Sequence, residues 1–70
     1  MEQSDYRRRF GSVAMSKGFI TLEQFINAMK IQVKDEVERN EHRLIGEILV
    51  NMGVMDESQI KKTLKAMKKK

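Results

Sequence analysis

An internal repeat constrains the fold of this chain more than any other feature. Residues 10–32 realign on residues 45–67 at an offset of 35 residues. Most apolar positions of the first copy fall on apolar positions of the second, and all four glycines pair between copies, Gly11 with Gly46 and Gly18 with Gly53. Short repeats of this kind are single supersecondary units that bury their apolar faces on one another. The chain is therefore predicted to be two copies of one unit packed together.

Each copy is predicted to be a helix, a glycine stop and a second helix. Gly18 and Gly53 are placed to end the first helix of each copy in the left-handed conformation. Residues 21–24 (Thr-x-x-Gln) and 56–59 (Asp-x-x-Gln) have the spacing of a capping box, in which each side chain bonds the other residue's backbone amide. These signals predict two helix–turn–helix hairpins.

The ends of the first two helices follow from the same kind of signal. The first helix is expected over residues 5–17, with Ser4 or Asp5 as its cap. The second helix is expected to reach Arg39, because helical spacing of apolar residues continues past residue 32. The domain is thus read as one unit over 1–70, with repeat one at 9–32, a connector at 33–43, repeat two at 44–67 and a basic tail at 68–70.

Apolar stripes at helical spacing define the predicted core. Asn40 or Glu41 is the expected cap of the third helix. The stripe of the second helix is Leu22, Phe25, Ile26, Met29, Val33 and Val37, and that of the third is Leu44, Ile45, Ile48, Leu49 and Met52. Neither hairpin can bury its stripe alone. We therefore predict an all-α, four-helix domain whose two hairpins pack with pseudo-two-fold symmetry, with the six methionines mostly in its core.

Composition narrows the function. The chain has no cysteine, and no apolar run approaches the ~18 residues that span a bilayer. Its polar amino end, MEQSDYRRR, does not resemble a signal peptide. These features predict a cytoplasmic protein without membrane insertion. His42 is the only histidine, and no serine or cysteine lies at a spacing that suggests a catalytic pair with it. No cofactor-binding motif is present either. We therefore expect no enzymatic activity and no cofactor.

The first repeat resembles a family motif. Its spacing Arg9-Phe10-Gly11…Gly18-Phe19-Ile20…Phe25…Met29…Gln32 is similar to the tandem motif of MshEN domains. These are the amino-terminal domains of type II secretion and type IV pilus assembly ATPases, and some of them bind cyclic di-GMP. The second copy departs from the pattern, since Leu44 stands where arginine opens the motif and Met67 where glutamine closes it. No ATPase domain is present, so the resemblance implies a separate bacterial protein partner for any secretion or pilus role.

The resemblance implies a guanine nucleotide as ligand and a set of contacting residues. An arginine can bond the guanine edge in two places, glycines allow close backbone approach, and Gln32 can read a base edge. The implied ligand-binding residues are Arg9, Phe10, Gly11, Gln32, Arg43, Ile45 and Gly46. The alternative is that these residues have no ligand. The glycines would then serve close helix contact, and Arg9 would be a solvated charge.

Two other functions fit the same fold. A ligand-free protein–protein adaptor is favoured by the divergent second motif, and it would show an exposed apolar patch. A helix–turn–helix type of nucleic-acid binder is suggested by the net charge of +4 and by basic residues near both ends of the chain. Its contacts would be Arg7, Arg8, Lys61, Lys62 and Lys65.

Overall fold

Four α-helices form the chain in a computed structural model that describes residues 2–68. They are α1 (Glu2–Ser16), α2 (Leu22–Arg39), α3 (Ile45–Asn51) and α4 (Glu57–Lys68), and no strand occurs within the described range. The predicted all-α, four-helix fold is confirmed. No helix of residues 2–68 is both long and apolar enough to cross a membrane. Residues 69 and 70 of the predicted basic tail lie outside the described residues.

Glycine ends the first helix of each hairpin as predicted. Gly18 has a φ of 79° and Gly53 a φ of 82°, both in the left-handed region. The amide of Phe19 donates to the carbonyl of Ala14 at 3.0 Å, and the corresponding bond in the second turn is 3.2 Å long. This is the Schellman arrangement, in which the residue beyond the glycine folds back onto the last helical turn.

Both capping boxes are also present. The amide of Gln24 donates to the hydroxyl of Thr21 at 3.1 Å, and the amide of Thr21 donates to the Gln24 side chain at 2.9 Å. Asp56 and Gln59 exchange the equivalent bonds at 2.8 and 3.1 Å. Each box satisfies two backbone donors that a helix start otherwise leaves unpaired.

Two predicted helix starts were wrong. α1 begins at Glu2, so positions 4 and 5 lie inside the helix and do not cap it. α3 begins after Leu44, and neither Asn40 nor Glu41 caps it. Asn40 instead ends α2 in the left-handed conformation, with a φ of 57° and its amide donating to the carbonyl of Asp35. Asparagine tolerates that conformation better than other residues with a side chain, which explains this role.

The closest helix packing joins the two repeats. α1 packs against α4, α2 packs against α3, and α1 also approaches α3. Each of these pairs joins a helix of one repeat to a helix of the other. The buried core is Phe10, Ala14, Ile20, Phe25, Ala28, Ile45, Ile48, Leu49 and Met55. The other described methionines, Met15, Met29, Met52 and Met67, pack against it while partly exposed.

The predicted apolar stripe of α2 is only partly in the core. Phe25 is buried, whereas Leu22, Val33 and Val37 are exposed. α2 turns a different arc inward, made of Phe25, Ala28, Gln32 and Asp35. The expectation that the whole stripe packs inside was therefore wrong, because two polar side chains occupy core-facing positions and find hydrogen-bond partners there.

Candidate functional site

The longest helix leaves an apolar surface uncovered. We call this surface the α2 apolar face, and it consists of Leu22, Ile26, Met29, Val33 and Val37. Leu22 is 61% exposed, Val37 is 78% exposed and Val33 is 47% exposed. The first four residues follow one another at steps of four, three and four, which is the spacing of a helix seam that packs on another helix. Contiguous exposed apolar surface of this kind marks interaction sites in soluble domains.

A shallow groove runs along this face, with charged residues at its edge. The groove has a volume of about 510 Å³ and is lined by Ile26, Met29, Lys30, Val33, Lys34, Val37 and Glu38. Lys30 and Lys34 border its middle, while Glu38 stands near one end. The groove therefore combines an apolar floor with a positive rim along its central part.

Buried polar side chains hold the other face of α2 in place. Gln32 is 1% exposed, yet both ends of its amide are bonded. Its oxygen accepts from the guanidinium of Arg7 at 2.9 Å, and its nitrogen donates to the backbone carbonyl of Arg43 at 2.8 Å. The Arg43 guanidinium in turn donates to the carboxylate of Asp35 at 3.2 Å. This network joins α1, α2 and the segment before α3, and it fixes which arc of α2 faces outward.

The structure places the seven residues implied as nucleotide contacts in separate surroundings. Phe10 and Gly46 line one cavity of about 310 Å³. Gln32 and Arg43 belong to the polar network just described, and Ile45 is fully buried in the core. These residues are therefore engaged in packing or hydrogen bonds within the protein.

Arg9 and Gly11 lie in two further environments. The guanidinium of Arg9 donates to the backbone carbonyl of Met67 at 3.0 Å, on the exposed surface between α1 and α4. Gly11 is buried beneath the ring of Phe25, and a Cβ atom at this position would lie only 2.3 Å from that ring. Close helix contact thus accounts for the absence of a side chain at Gly11.

The cavity beside Phe10 and Gly46 has aromatic and charged residues in its lining. The rings of Tyr6 and Phe10 lie 6.1 Å apart, and both residues line it. Burial raises the pKa of the Tyr6 hydroxyl above its ordinary value of 10.0. Glu47, Glu57 and Lys61 also line the cavity. Its carboxylates can accept hydrogen bonds from a planar group, and its single lysine can pair with an anion.

Four of the five residues predicted to contact nucleic acid remain available on the surface. Lys61, Lys62 and Lys65 are exposed along α4. Arg8 is exposed and pairs with Asp5 at 3.1 Å. Arg7 is instead half-buried in the polar network. His42, which had no predicted catalytic role, is exposed just before α3.

Residues 2–68 form a small all-α helical module in which α2 has an uncovered apolar face. Comparison with known protein families, with characterised proteins and with solved structures finds no significant match to this chain. The similarity to MshEN domains thus rests on the quoted motif alone and stays a prediction.

The residues of the α2 apolar face were found from the sequence, but they were assigned to the core. The residues of this face and the inward-facing residues both recur at helical spacing on the same helix. The one signal that distinguishes them is Gln32 and Asp35, which lie near charged residues of other segments that can satisfy them.

Proposed function

We propose that this protein is a non-enzymatic adaptor that docks a helix of another protein on the α2 apolar face. The observation that carries the proposal is the exposure of this face on a helix whose opposite arc is fixed by buried hydrogen bonds. Amphipathic helices are commonly bound in such grooves through apolar residues at spacings of three and four.

The rim of the groove indicates the charge of the partner helix. Lys30 and Lys34 border the middle of the groove, so a helix with acidic residues beside its apolar stripe fits best. A second copy of α2 fits less well. Antiparallel pairing about the centre of the stripe would place Lys30 of one copy beside Lys30 of the other, and like charges in contact oppose association.

A peptide titration tests this proposal. The probe is a synthetic helical peptide with leucines at seam positions and glutamates beside them, compared with the same peptide carrying lysines in place of the glutamates. We expect the acidic peptide to bind more tightly and to shift the amide signals of α2 residues on the α2 apolar face. Tighter binding of the basic peptide would contradict the proposed partner chemistry.

Two isoleucines of α2 provide matched variants. Ile26 lies on the α2 apolar face and Ile31 lies about 140° around the helix, yet each is 38% exposed. Ile26→Glu should weaken peptide binding at least tenfold, or about 1.4 kcal/mol, because it buries an unpaired charge in the interface. Ile31→Glu should leave binding unchanged. Equal effects of the two variants would refute docking on this face.

The oligomeric state completes the test. Sedimentation equilibrium should show a monomer for both the natural chain and Ile26→Glu. A dimer of the natural chain that Ile26→Glu converts to a monomer would show that the occupant is a second copy. That result would overturn the partner proposed here.

A guanine nucleotide is a second candidate, at the cavity beside Phe10 and Gly46. The observation that favours it is the partly exposed ring of Tyr6 in that cavity, on which a base can stack, together with carboxylates that can accept from the base edge and Lys61, which can pair with a phosphate. Cyclic di-GMP titrated into labelled protein should then shift the amide signals of Phe10 and Gly46 at micromolar concentration. Unchanged signals at millimolar ligand would remove this candidate and leave the adaptor.

A further inference from the structure

Arginines and lysines from both ends of the chain meet along the α1–α4 contact. Arg9 reaches the carbonyl of Met67 near the end of α4. Lys17, just past the end of α1, lies beside Lys62 and Lys65, farther back along α4. The two helices therefore run in opposite directions, and a groove lies between them.

We call this surface the basic groove, and its cations are Arg8, Arg9, Lys17, Lys62 and Lys65. One part, of about 390 Å³, is lined by Arg8, Arg9, Ser12, Val13, Ala66 and Met67. The other part, of about 290 Å³, is lined by Lys17, Lys62, Lys65 and Ala66. Ala66 lines both parts, so they adjoin at this residue. Among the described residues, no carboxylate lines either part.

The neighbouring carboxylates reduce this charge only at its edges. Asp5 pairs with Arg8 at 3.1 Å, and both side chains are well exposed, so the pair is weak. Glu57 lines a separate hollow with Lys61, Lys62 and Lys65. Arg9, Lys17, Lys62 and Lys65 thus remain as four cations that face the groove without a carboxylate among its lining residues.

We infer that the basic groove binds the phosphate backbone of a nucleic acid without reading its sequence. The groove offers cations and one hydroxyl, from Ser12, but no aromatic ring on which a base could stack. Arg9 and Lys17 are eight residues apart, or about 12 Å along a helix, which corresponds to roughly three to four phosphates of one strand, measured along the axis of a duplex. Backbone contacts position a protein on nucleic acid but carry no sequence information.

A membrane surface fits the groove less well. Helices that bind lipid surfaces present large apolar side chains beside their cations. The large exposed apolar residues of the described chain are Leu22, Ile26, Ile31, Val33, Val37 and Leu44. None of them lines the basic groove. Charge alone would have to hold a bilayer there, whereas a phosphodiester strand can lie between the two helices.

Salt dependence provides the first test. Fluorescence anisotropy with labelled single-stranded and duplex DNA of arbitrary sequence should show binding that four phosphate contacts dominate. The slope of log K against log salt should be about −3 for the single strand and about −4 for the duplex, so affinity should fall roughly 100-fold between about 50 and 200 mM salt. Tight binding with a slope near zero would refute the inference.

Two variants with the same net charge provide the matched control for the role of the basic groove. Lys62→Glu with Lys65→Glu should weaken DNA binding at least tenfold and bring the slope close to half its original value. Arg39→Glu with Asn27→Glu and Asn51→Glu makes the same change in net charge at exposed positions that line neither part of the basic groove. It should leave binding within about threefold, because the cations of the groove are unchanged and more distant exposed charges are screened. Equal losses in both variants would mean that net charge alone attracts DNA, and the groove would have no role.

Polyglutamate and phosphatidylserine vesicles test whether the basic groove binds an acidic protein or a membrane instead of a nucleic acid. Polyglutamate at equal charge concentration should displace DNA poorly. Equal displacement would reassign the groove to acidic proteins. Binding to phosphatidylserine vesicles without binding to DNA would reassign it to a membrane surface. Urea unfolding of both variants, with midpoints close to that of the natural chain, would confirm that binding losses do not reflect unfolding.

Discussion

The Gln32→Met variant tests whether the buried amide of Gln32 holds the domain together. Methionine nearly conserves the volume, so the change removes two hydrogen bonds with little cavity. A bond to a charged group contributes about 1.5–3 kcal/mol and a neutral one about 1 kcal/mol. Arg7 is half-buried, so its guanidinium regains some hydration when Gln32 is replaced. The loss per hydrogen bond should therefore lie toward the lower end of these ranges. We therefore expect the free energy of unfolding to fall by about 2–3 kcal/mol.

This loss is large for a chain of 70 residues, since domains are stabilised by roughly 0.05–0.15 kcal/mol per residue. With a urea dependence of about 1 kcal/mol per molar, the unfolding midpoint of Gln32→Met should fall by about 2–3 M. Circular dichroism is the suitable probe because the chain has no tryptophan. Lys34→Met, at an exposed position of the same helix, should change the free energy of unfolding by less than about 0.5 kcal/mol.

Arg7→Met completes a double-mutant cycle with Gln32→Met. The coupling energy should be about 1–2 kcal/mol, because the two residues share one charged hydrogen bond. A midpoint change below about 0.5 M for Gln32→Met, or a coupling energy near zero, would refute the reasoning. Either result would mean that the Gln32 side chain is available to contact a ligand.

Three further predictions concern packing, capping and titration. Gly11→Ala should lower the free energy of unfolding in urea by about 1–2 kcal/mol, because its methyl group collides with the Phe25 ring. Gly46→Ala should be near neutral in the same assay, because its methyl group would lie 3.2 Å from the nearest atom and alanine favours the helix. Thr21→Ala should cost about 1 kcal/mol in the same assay through loss of the cap, and no change would contradict the capping role. Tyr6, the only tyrosine, should ionise above pH 10.0 in an absorbance titration. Since the folded state retains this proton more strongly, the stability contributed by Tyr6 should fall as pH rises above 10.0, and Tyr6→Phe should remove that part of the pH dependence.

Local signals in the sequence predict the hairpins well. Gly18, Thr21 and Asp56 each act through contacts within about five residues, so the residue type and its spacing are sufficient to predict the turn or the cap. The start of α3 was missed for the same local reason. Asn40 suits either a helix start or a left-handed helix end, and the choice depends on the Asp35 carbonyl that precedes it in α2.

Long-range contacts decide the rest. Periodicity finds both arcs of α2, but it does not tell which one faces the other repeat. Gln32 and Asp35 face inward because Arg7 and Arg43 reach them from other segments, and those contacts exist only in the folded chain. The basic groove depends in the same way on the antiparallel packing of α1 and α4, which brings Lys17 beside Lys62.

The two arcs of α2 together explain why an apolar face on this helix is best understood as a docking surface. A helix that served only the core would bury its valines and expose its glutamine, because burial of apolar area is favourable and burial of polar groups needs paired hydrogen bonds. α2 does the reverse at Gln32 and Val33, which are 1% and 47% exposed. Departures from the patterning that stabilises a fold are expected at functional sites. The buried hydrogen bonds hold one arc of α2 against the other repeat, so the opposite arc has a fixed orientation. This lowers the conformational entropy that is lost when a partner binds.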